Sequence, residues 1–412
     1  MNPASLVAAP TDTTLMRTLF SIGFLARFSY ALARNPVLPL FAAALGAGPE
    51  GIGLAVGIST VTGILFKMPS GALSDVIGRR RTMLAGLVVF GLMPFAYLFI
   101  THYAALVVVR FLHGLATAIY GPVAMAVVAD IAGARKGEML SWFSSVGIAG
   151  TLLGAPIGGY LLLLLGGEQA SLLSYRAVFL CSALTGAAAL VLGLLTLRNG
   201  DKPAEGKSLA ERFHLFAQGI REVAADRRVL MTSSMEGIQN MSMGALEAFL
   251  PVYAVSVAGL NVFQAGLIWG AQIVVTFIAK PVMGKVSDRW GRRPLIVAGM
   301  LLCAVPFALV PHLTDFVILM LAGMIFGLGE AFVTSSSAAL VADFCKAQHY
   351  GAAMGTFGTI FDVGHAAGPI VTGLLVASLG YGPAFAIVST LLCTSIPLFL
   401  ITVREEPQTE NL

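Results

Sequence analysis

The chain has 412 residues, of which 57% are hydrophobic and 11% charged, and its formal net charge at pH 7 is +4. A soluble domain of ordinary composition carries about 25% charged residues, so this chain has too few charges to cover a surface exposed to water. Its composition excludes an ordinary soluble protein and predicts a chain surrounded mainly by lipid.

Charge-poor apolar segments recur along the chain, and each has about the 20 residues that a helix needs to cross a bilayer. They are continuous rather than alternating with a period of two, which favours helices over barrel strands. The sequence therefore predicts an all-α membrane protein with twelve transmembrane helices. The predicted spans are 15–42, 50–73, 82–100, 103–129, 138–165, 173–197, 230–257, 262–284, 295–311, 314–341, 351–379 and 382–402.

Lysine and arginine concentrate in the predicted connections on one side of the membrane, namely 71–82, 130–137, 198–229, 285–294, 342–350 and 403–412. The connections on the opposite side contain only Arg176. Positive residues stay on the cytoplasmic side, so this distribution predicts that both termini are cytoplasmic. The pI near 8.9 then reflects membrane topology, and no nucleic-acid partner is expected.

The chain contains an internal duplication. The segment GALSDVIGRRRT at 71–82 returns as GKVSDRWGRRPL at 284–295, and 213 positions separate Asp75 from Asp288. We predict an N-terminal bundle at 1–197, a cytoplasmic linker at 198–229 and a C-terminal bundle at 230–412. Each half has an even number of spans, so the halves are parallel six-helix repeats. Within the linker, 208–228 predicts an amphipathic helix on the cytoplasmic face, a solvated linker being the alternative.

Twelve spans in two repeats, with G-x-L-S-D-x-x-G-R-R-R at 71–81, resemble the major facilitator superfamily over essentially the whole chain. Within it, the chain most resembles the twelve-helix drug or metabolite:proton antiporters. The resemblance implies two bundles that expose a central cavity alternately to either side. It also implies a monomeric transporter rather than an enzyme, without cofactor or metal, in a bacterial cytoplasmic (inner) membrane. Its partners would be a small-molecule substrate, protons and the lipid bilayer.

The repeated segment has a physical interpretation of its own. Gly71 and Gly78 allow a tight turn and close helix approach, and the arginines from Arg79 onward anchor the loop in the cytoplasm. Asp75 suits a switchable contact with an arginine or with a helix N-terminus. The resemblance implies a latch that holds the outward-facing state, a simple anchor being the alternative. The latch candidates are Gly71, Asp75, Gly78, Arg79, Asp288 and Arg292.

Charged residues inside a span are costly and by default face a cavity or a partner. The first half contains Arg27 and Arg34 in the first span, where Asn35 follows, and Arg110 in the fourth span. Seven residues, about two helical turns, separate Arg27 from Arg34, which predicts that they project from nearly the same face. Arg110 begins RFLHGLA, which resembles the helix 4 arginine motif that proton-coupled members tie to proton transfer. Lys280, near a span end, is expected to snorkel to the interface.

The second half contains acids within its spans: Glu247 in the seventh, Glu330 in the tenth and Asp362 in the eleventh, where His365 follows three residues later. A carboxyl group buried in a low dielectric can load and release a proton, which makes these three acids proton-coupling candidates. Static ion pairing with the arginines of the first half is the alternative. The substrate-binding candidates are Arg27, Arg34, Asn35, Arg110, Gln239, Glu247 and Glu330.

The fifth span contains GIAGTLLGAPIGGY at 147–160, in which the glycine spacing leaves one face without side chains. The candidate residues are Gly150, Gly154, Pro156 and Gly159. They resemble the glycine–proline motif associated with antiporters, except that the proline lies one position later, and ordinary packing glycines are the alternative.

Together these features predict a secondary active transporter, a proton-coupled antiporter that exports a small organic compound or drug by alternating access. The first alternative is a proton symporter importing an anionic metabolite, which the arginines of the first half favour. An alternative of another class is a non-transporting membrane receptor or lipid-handling protein on the same fold.

Overall fold

The computed structural model describes residues 13–167, 170–197, 225–345 and 350–403, and also residues 211, 214, 217 and 221. The first half forms the helices α1 Thr13–Arg34, α2 Val37–Ala44, α3 Pro49–Ile77, α4 Arg79–Ala96, α5 Tyr103–Ala132, α6 Lys136–Gly166 and α7 Leu172–Thr196. The second half forms α8 Arg227–Ser256, α9 Val262–Trp290, α10 Arg292–Leu309, α11 Phe316–Phe344, α12 Tyr350–Leu379 and α13 Tyr381–Thr402.

The all-α fold is confirmed: the described residues contain helices and turns but no strand. Every predicted span coincides with a long helix, with one difference in the first. The span predicted as continuous over 15–42 is divided into α1 and α2 around Asn35 and Pro36. Proline has no backbone N–H to donate and disfavours helical geometry at the residue before it, so the helix is interrupted there.

The connections after the second and eighth spans are shorter than predicted. We expected a loop over 71–82, but α3 continues to Ile77 and α4 begins at Arg79. The turn consists of Gly78 alone, with φ 105°, and Gly291 makes the equivalent turn between α9 and α10 with φ 90°. One residue at positive φ is enough to end a helix, and glycine adopts that geometry without steric cost. Gly71 and the backbone of Asp75 are therefore helical.

Ten helical segments of the described residues are long and apolar enough to cross a membrane. The long helices α1 and α8, which open the two repeats, are absent from those ten. Helix α8 carries Glu236, Gln239, Asn240 and Glu247, all of them buried. These polar side chains are surrounded by protein rather than by lipid, so α8 needs less apolar sequence.

The chain forms two compact units, one of residues 1–46 and 61–209 and the other of 47–60 and 210–412. Met83, Leu87, Phe90 and Tyr120 belong to the core of the first unit, and Met300, Val333 and Phe399 to a core of the second. The predicted domain boundaries stay a prediction. The predicted amphipathic helix of the linker lies mostly outside the described residues, of which Glu211, His214, Ala217 and Arg221 are helical and exposed.

Candidate functional site

Each repeat has an arginine directly after its glycine turn, bound to an aspartate near the end of a neighbouring helix. Arg79 Nη1 lies 2.6 Å from Asp130 Oδ2, and Arg292 Nε lies 2.8 Å from Asp343 Oδ2. Both pairs join residues 51 positions apart. The duplication thus reproduces the same ion pair in each unit, and the glycine turn aims the arginine at its partner.

Two of the latch candidates, Arg79 and Arg292, form ion pairs in this structure. Arg292 also binds Asp288, which lies four positions earlier near the end of α9, at 2.5 Å. All of these carboxylates are more than half exposed, so solvent weakens each pair and leaves it easy to exchange. The side chain of Asp75 lies outside the described residues, and its proposed switchable contact stays a prediction.

Two arginines of the first unit lie over the ring of one tyrosine. The guanidinium of Arg34 lies 5.5 Å from the ring centroid of Tyr30, and that of Arg110 lies 5.7 Å from it. Arg110 is 2% exposed and hydrogen-bonds to the hydroxyls of Tyr30 and Tyr97. A guanidinium over an aromatic face is attracted by the ring quadrupole, so Tyr30 stabilises the buried charge of Arg110 and the half-buried charge of Arg34. Asn35, at the helix break, is 3% exposed.

A cavity of about 320 Å³ lies among α1, α5 and α6 of the first unit. Its polar lining consists of Arg27, Tyr120, Ser144 and Thr151. The remaining lining residues are apolar or glycine: Gly23, Gly121, Met125, Phe143, Gly147 and Ile148. Arg27 and Arg34 thus have different environments although they are two turns apart: Arg27 lines this cavity, whereas Arg34 contacts Tyr30.

The glycine face of α6 lies directly on α1. A Cβ atom on Gly154 would lie 2.5 Å from Ala31 Cβ, and one on Gly158 would lie 2.6 Å from the Leu32 carbonyl oxygen. Of the other motif residues, Gly150 and Gly159 are buried and Pro156 is half-buried. This close approach brings the cavity-lining part of α6 against Arg27, whose Cβ lies 3.2 Å from the Cβ position of Gly150.

The equivalent helix of the second unit, α12, approaches α8 in the same way. Cβ atoms on Gly364 and Gly368 would collide with the carbonyl oxygens of Gly237 and Met241. Helix α12 also carries Asp362, which is half-buried, and His365. The Nε2 atom of His365 lies 3.0 Å from Glu247 Oε2 on α8. Sequence spacing linked His365 with Asp362 on the same helix, whereas the close packing of α8 and α12 brings it to Glu247.

Glu330 lies in a second polar cluster, formed by α9 and α11. Its Oε2 atom accepts hydrogen bonds from Gln272 Nε2 at 2.7 Å and from Thr276 Oγ1 at 3.1 Å. Lys280 Nζ lies 3.3 Å from Glu330 Oε1, so this lysine is turned toward a partner and the snorkelling expectation was incomplete. The cluster satisfies a carboxylate whose side chain is 12% exposed.

Glu236, Gln239 and Asn240 form another polar cluster, on α8. Glu236 is fully buried and accepts a hydrogen bond from Asn240 Nδ2 at 3.2 Å, and the same nitrogen donates to Gln239 Oε1. Gln239 Nε2 in turn lies 3.8 Å from Cys303 Sγ. Gln239, a substrate-binding candidate, is therefore held inside the unit by its own polar neighbours.

Sequence reasoning missed Tyr30, Tyr120, Gln272 and Thr276. A signal for two of them was available, because Gln272, Thr276 and Lys280 recur every four residues and so share one helix face. The tyrosines had no such signal, since aromatic residues are common throughout apolar spans. In the part of the chain that the structure describes, no group of three or more His, Cys, Asp or Glu residues is arranged to hold a metal ion.

Comparison with known proteins agrees with this architecture. The family model described as Major Facilitator Superfamily matches residues 19–278 and 259–412. The chain is 23% identical to the multi-drug resistance efflux pump PmrA of Streptococcus pneumoniae, over 90% of this chain and 91% of that protein. It is 27% identical to the multidrug resistance protein MdtG of a Rahnella species, over 92% of this chain and 91% of that protein.

Among solved structures, the chain is similar to the nucleoside transporter NupG, with a TM-score of 0.80. The alignment covers 95% of this chain and 100% of that one at 14% identity, which supports the shared fold alone. These relatives are transporters rather than enzymes, and the match extends through both halves of the chain.

Proposed function

The chain belongs to the major facilitator superfamily, and from that premise we propose that it is a proton-coupled antiporter that exports a small organic compound by alternating access. Two relatives that align along nine-tenths of its length are named as multidrug resistance proteins, which favours export of an organic compound. The proposal includes a bacterial cytoplasmic (inner) membrane location, cytoplasmic termini and a monomer as the working unit, and the one-sided distribution of arginine and lysine supports that orientation.

The observation that carries the proton coupling is the contact between Glu247 and His365. Their side chains are 5% and 16% exposed, and 3.0 Å separates the two heavy atoms. A carboxyl group and an imidazole are the side chains that most readily exchange protons near neutral pH. A proton shared between them neutralises a buried charge, so gain or loss of that proton can be coupled to a change of conformation.

Glu330 and Asp362 are the other proposed proton-coupling residues. Glu330 already has a lysine and two hydrogen-bond donors around it, so its polar partners lie within the unit. The half-buried Asp362 shares helix α12 with His365. We therefore rank Glu247 first, and substitution of the three acids one at a time distinguishes them.

The experiment uses the full-length protein in liposomes with the membrane potential clamped at zero. Two permanently charged probes, ethidium and 1-naphthalenesulfonate, are offered under pH gradients of either direction. Accumulation of a probe in an acidic interior indicates antiport, and accumulation in an alkaline interior indicates symport. Probe accumulation that does not depend on the pH gradient refutes proton coupling. Protein-free liposomes correct for leak.

The variants Glu247→Gln, Glu330→Gln and Asp362→Asn then assign the proton site. We expect Glu247→Gln to abolish the response to the pH gradient while probe-for-probe exchange continues. Glu138→Gln is the matched control, because Glu138 is an exposed acid whose partner is Arg135. If all three acid variants keep the gradient response of the unmodified protein, the proposed proton sites are wrong.

A symporter that imports an anion is the second candidate, and Arg27 favours it. This arginine lines the cavity of the first unit, and the groups that interact electrostatically with it are Tyr120, Tyr30 and Arg34, none of them a carboxylate. The direction of 1-naphthalenesulfonate accumulation in the same liposomes separates the two candidates.

A further inference from the structure

The cavity of the first unit has the size and lining of a small-molecule site. Its volume of about 320 Å³ lies at the lower end of the range of roughly 300–1,000 Å³ that is typical of ligand pockets. Glycines make the space: the Cβ position of Gly121 has no heavy atom within 4 Å, and at Gly147 the nearest is Arg27 Cγ at 3.6 Å. A side chain at either position would reduce the room beside the arginine.

Arg27 is the charged residue of this lining, and within the described part of the chain it has no counter-charge. No carboxylate of the described residues forms an ion pair with it, and its electrostatic neighbours are Tyr120, Tyr30 and Arg34. An arginine inside a membrane span is costly and faces a partner or a cavity by default. For Arg27 this is the cavity, and a negatively charged ligand in the cavity can reach its guanidinium.

Tyr120 provides a second, independent observation. Tyr120 is 2% exposed, and its hydroxyl has no hydrogen-bond partner among the described residues. A buried hydroxyl without a partner costs free energy, and most such groups in proteins are satisfied. Because Tyr120 lines the same cavity as Arg27, one ligand oxygen can accept from the hydroxyl while another accepts from the guanidinium.

The rest of the lining suits an apolar body. Phe143 provides a ring within the cavity, and Met125 and Ile148 provide flexible and branched apolar surface. Ser144 and Thr151 add hydroxyls, of which the Thr151 hydroxyl already donates to the Gly147 carbonyl oxygen. A ligand with one anionic end and one aromatic or aliphatic end matches both parts of the wall.

We propose that this cavity binds small amphipathic organic anions, with Arg27 and Tyr120 holding the anionic group and Phe143, Met125 and Ile148 contacting the apolar body. The inference rests on the proposed function, since it names the substrate class of the transporter. It concerns equilibrium binding, so it is tested without any proton gradient.

The test measures binding of three naphthalene probes to the full-length protein in nanodiscs by titration calorimetry. The probes are 1-naphthalenesulfonate, neutral 1-naphthalenesulfonamide and cationic 1-naphthylmethylammonium, which share the apolar body and differ in charge. We expect the sulfonate to bind at least tenfold more tightly than either of the others. Equal affinities for the three probes would overturn the proposal, and this comparison needs no variant.

Variants then locate the anion. Arg27→Gln is expected to weaken sulfonate binding about 10- to 100-fold, the range of a charge-assisted hydrogen bond, and to change sulfonamide binding less than about threefold. Tyr120→Phe removes only the hydroxyl and should weaken sulfonate binding about 2- to 10-fold. Arg17→Gln is the matched control, because Arg17 is an exposed arginine of the same helix.

Loss of sulfonate binding in Arg17→Gln equal to that in Arg27→Gln would refute this site, since it would show a general effect of charge. Sulfonate binding that depends on Arg27, together with transport that ignores pH, supports the site and refutes proton coupling. Proton-coupled ethidium transport by a protein that does not bind the sulfonate refutes the anion class and leaves the proposed function intact.

Discussion

Substitution of Gly154 by alanine tests whether α6 really lies on α1 without room for a side chain. The new Cβ atom would lie 2.5 Å from Ala31 Cβ and 2.9 Å from the Leu32 backbone nitrogen, whereas ordinary contact begins at 3.4 Å. The helices must separate by about 1 Å, because neither neighbouring atom belongs to a flexible side-chain end. Overpacking of this kind costs about 1–3 kcal/mol of unfolding free energy.

Gly137→Ala is the matched control within the same helix. The Cβ position of Gly137 has no heavy atom within 4 Å, so this variant gains the helix propensity of alanine, up to about 1 kcal/mol, without a collision. The propensity gain largely cancels in a comparison of the two variants, which leaves the contact between the helices as the difference between them.

Thermal unfolding of the purified proteins in detergent measures this difference. A cooperative unit of 150–250 residues shifts its Tm by roughly 2–4 °C per kcal/mol, so Gly154→Ala should melt about 2–12 °C below Gly137→Ala. Midpoints within about 1 °C of one another would refute the close contact between α1 and α6.

Three further predictions concern buried or capping polar groups. Tyr97→Phe should lower the unfolding free energy by about 1–3 kcal/mol, because the Tyr97 hydroxyl lies 3.0 Å from buried His113 Nδ1; an unchanged Tm would contradict this bond. Lys280→Met and Glu330→Gln should be coupled by about 0.5–3 kcal/mol in a double-mutant cycle, and strict additivity would contradict their pairing. Asp226→Ala should cost about 1 kcal/mol and Asp226→Asn less, since asparagine also caps a helix. Burial raises the pKa of Asp226, but hydrogen bonds from the next helical turn outweigh it and hold that pKa below its ordinary value. Its stabilisation should therefore be present above the ordinary pKa and be lost as pH falls through the lowered one, and a loss confined to higher pH would contradict this assignment.

The fold could be predicted almost completely from the sequence. Low charge and long apolar segments identify membrane spans because the bilayer sets the length of a helix, and the spacing between Asp75 and Asp288 identifies the repeat. The exact ends of helices were less predictable. The charged segment at 71–77 was predicted to be part of a loop, yet it is helical. The whole turn between α3 and α4 consists of Gly78 at positive φ, so no longer loop is needed.

The sequence identified several polar residues of the candidate site, but it did not show which residues contact them. Glu330 was identified as a charged residue in a span, but its neighbour Lys280 lies 50 positions away on another helix. His365 was linked with Asp362 by spacing along one helix, although the structure pairs it with Glu247. Contacts within a helix follow from a period of 3.6 residues, whereas contacts between helices depend on rotation and packing.

The sequence by itself determined that this chain is a twelve-span membrane protein with an internal repeat and a few costly charges inside its spans. Local composition and periodicity carry that information. Only the tertiary structure decided that Arg27 lines a cavity together with Tyr120, whose hydroxyl has no hydrogen-bond partner among the described residues, while Arg34, two turns away, lies over Tyr30. The two arginines differ because the glycine face of α6 allows α1 to approach closely. This close packing fixes which side of α1 faces the cavity.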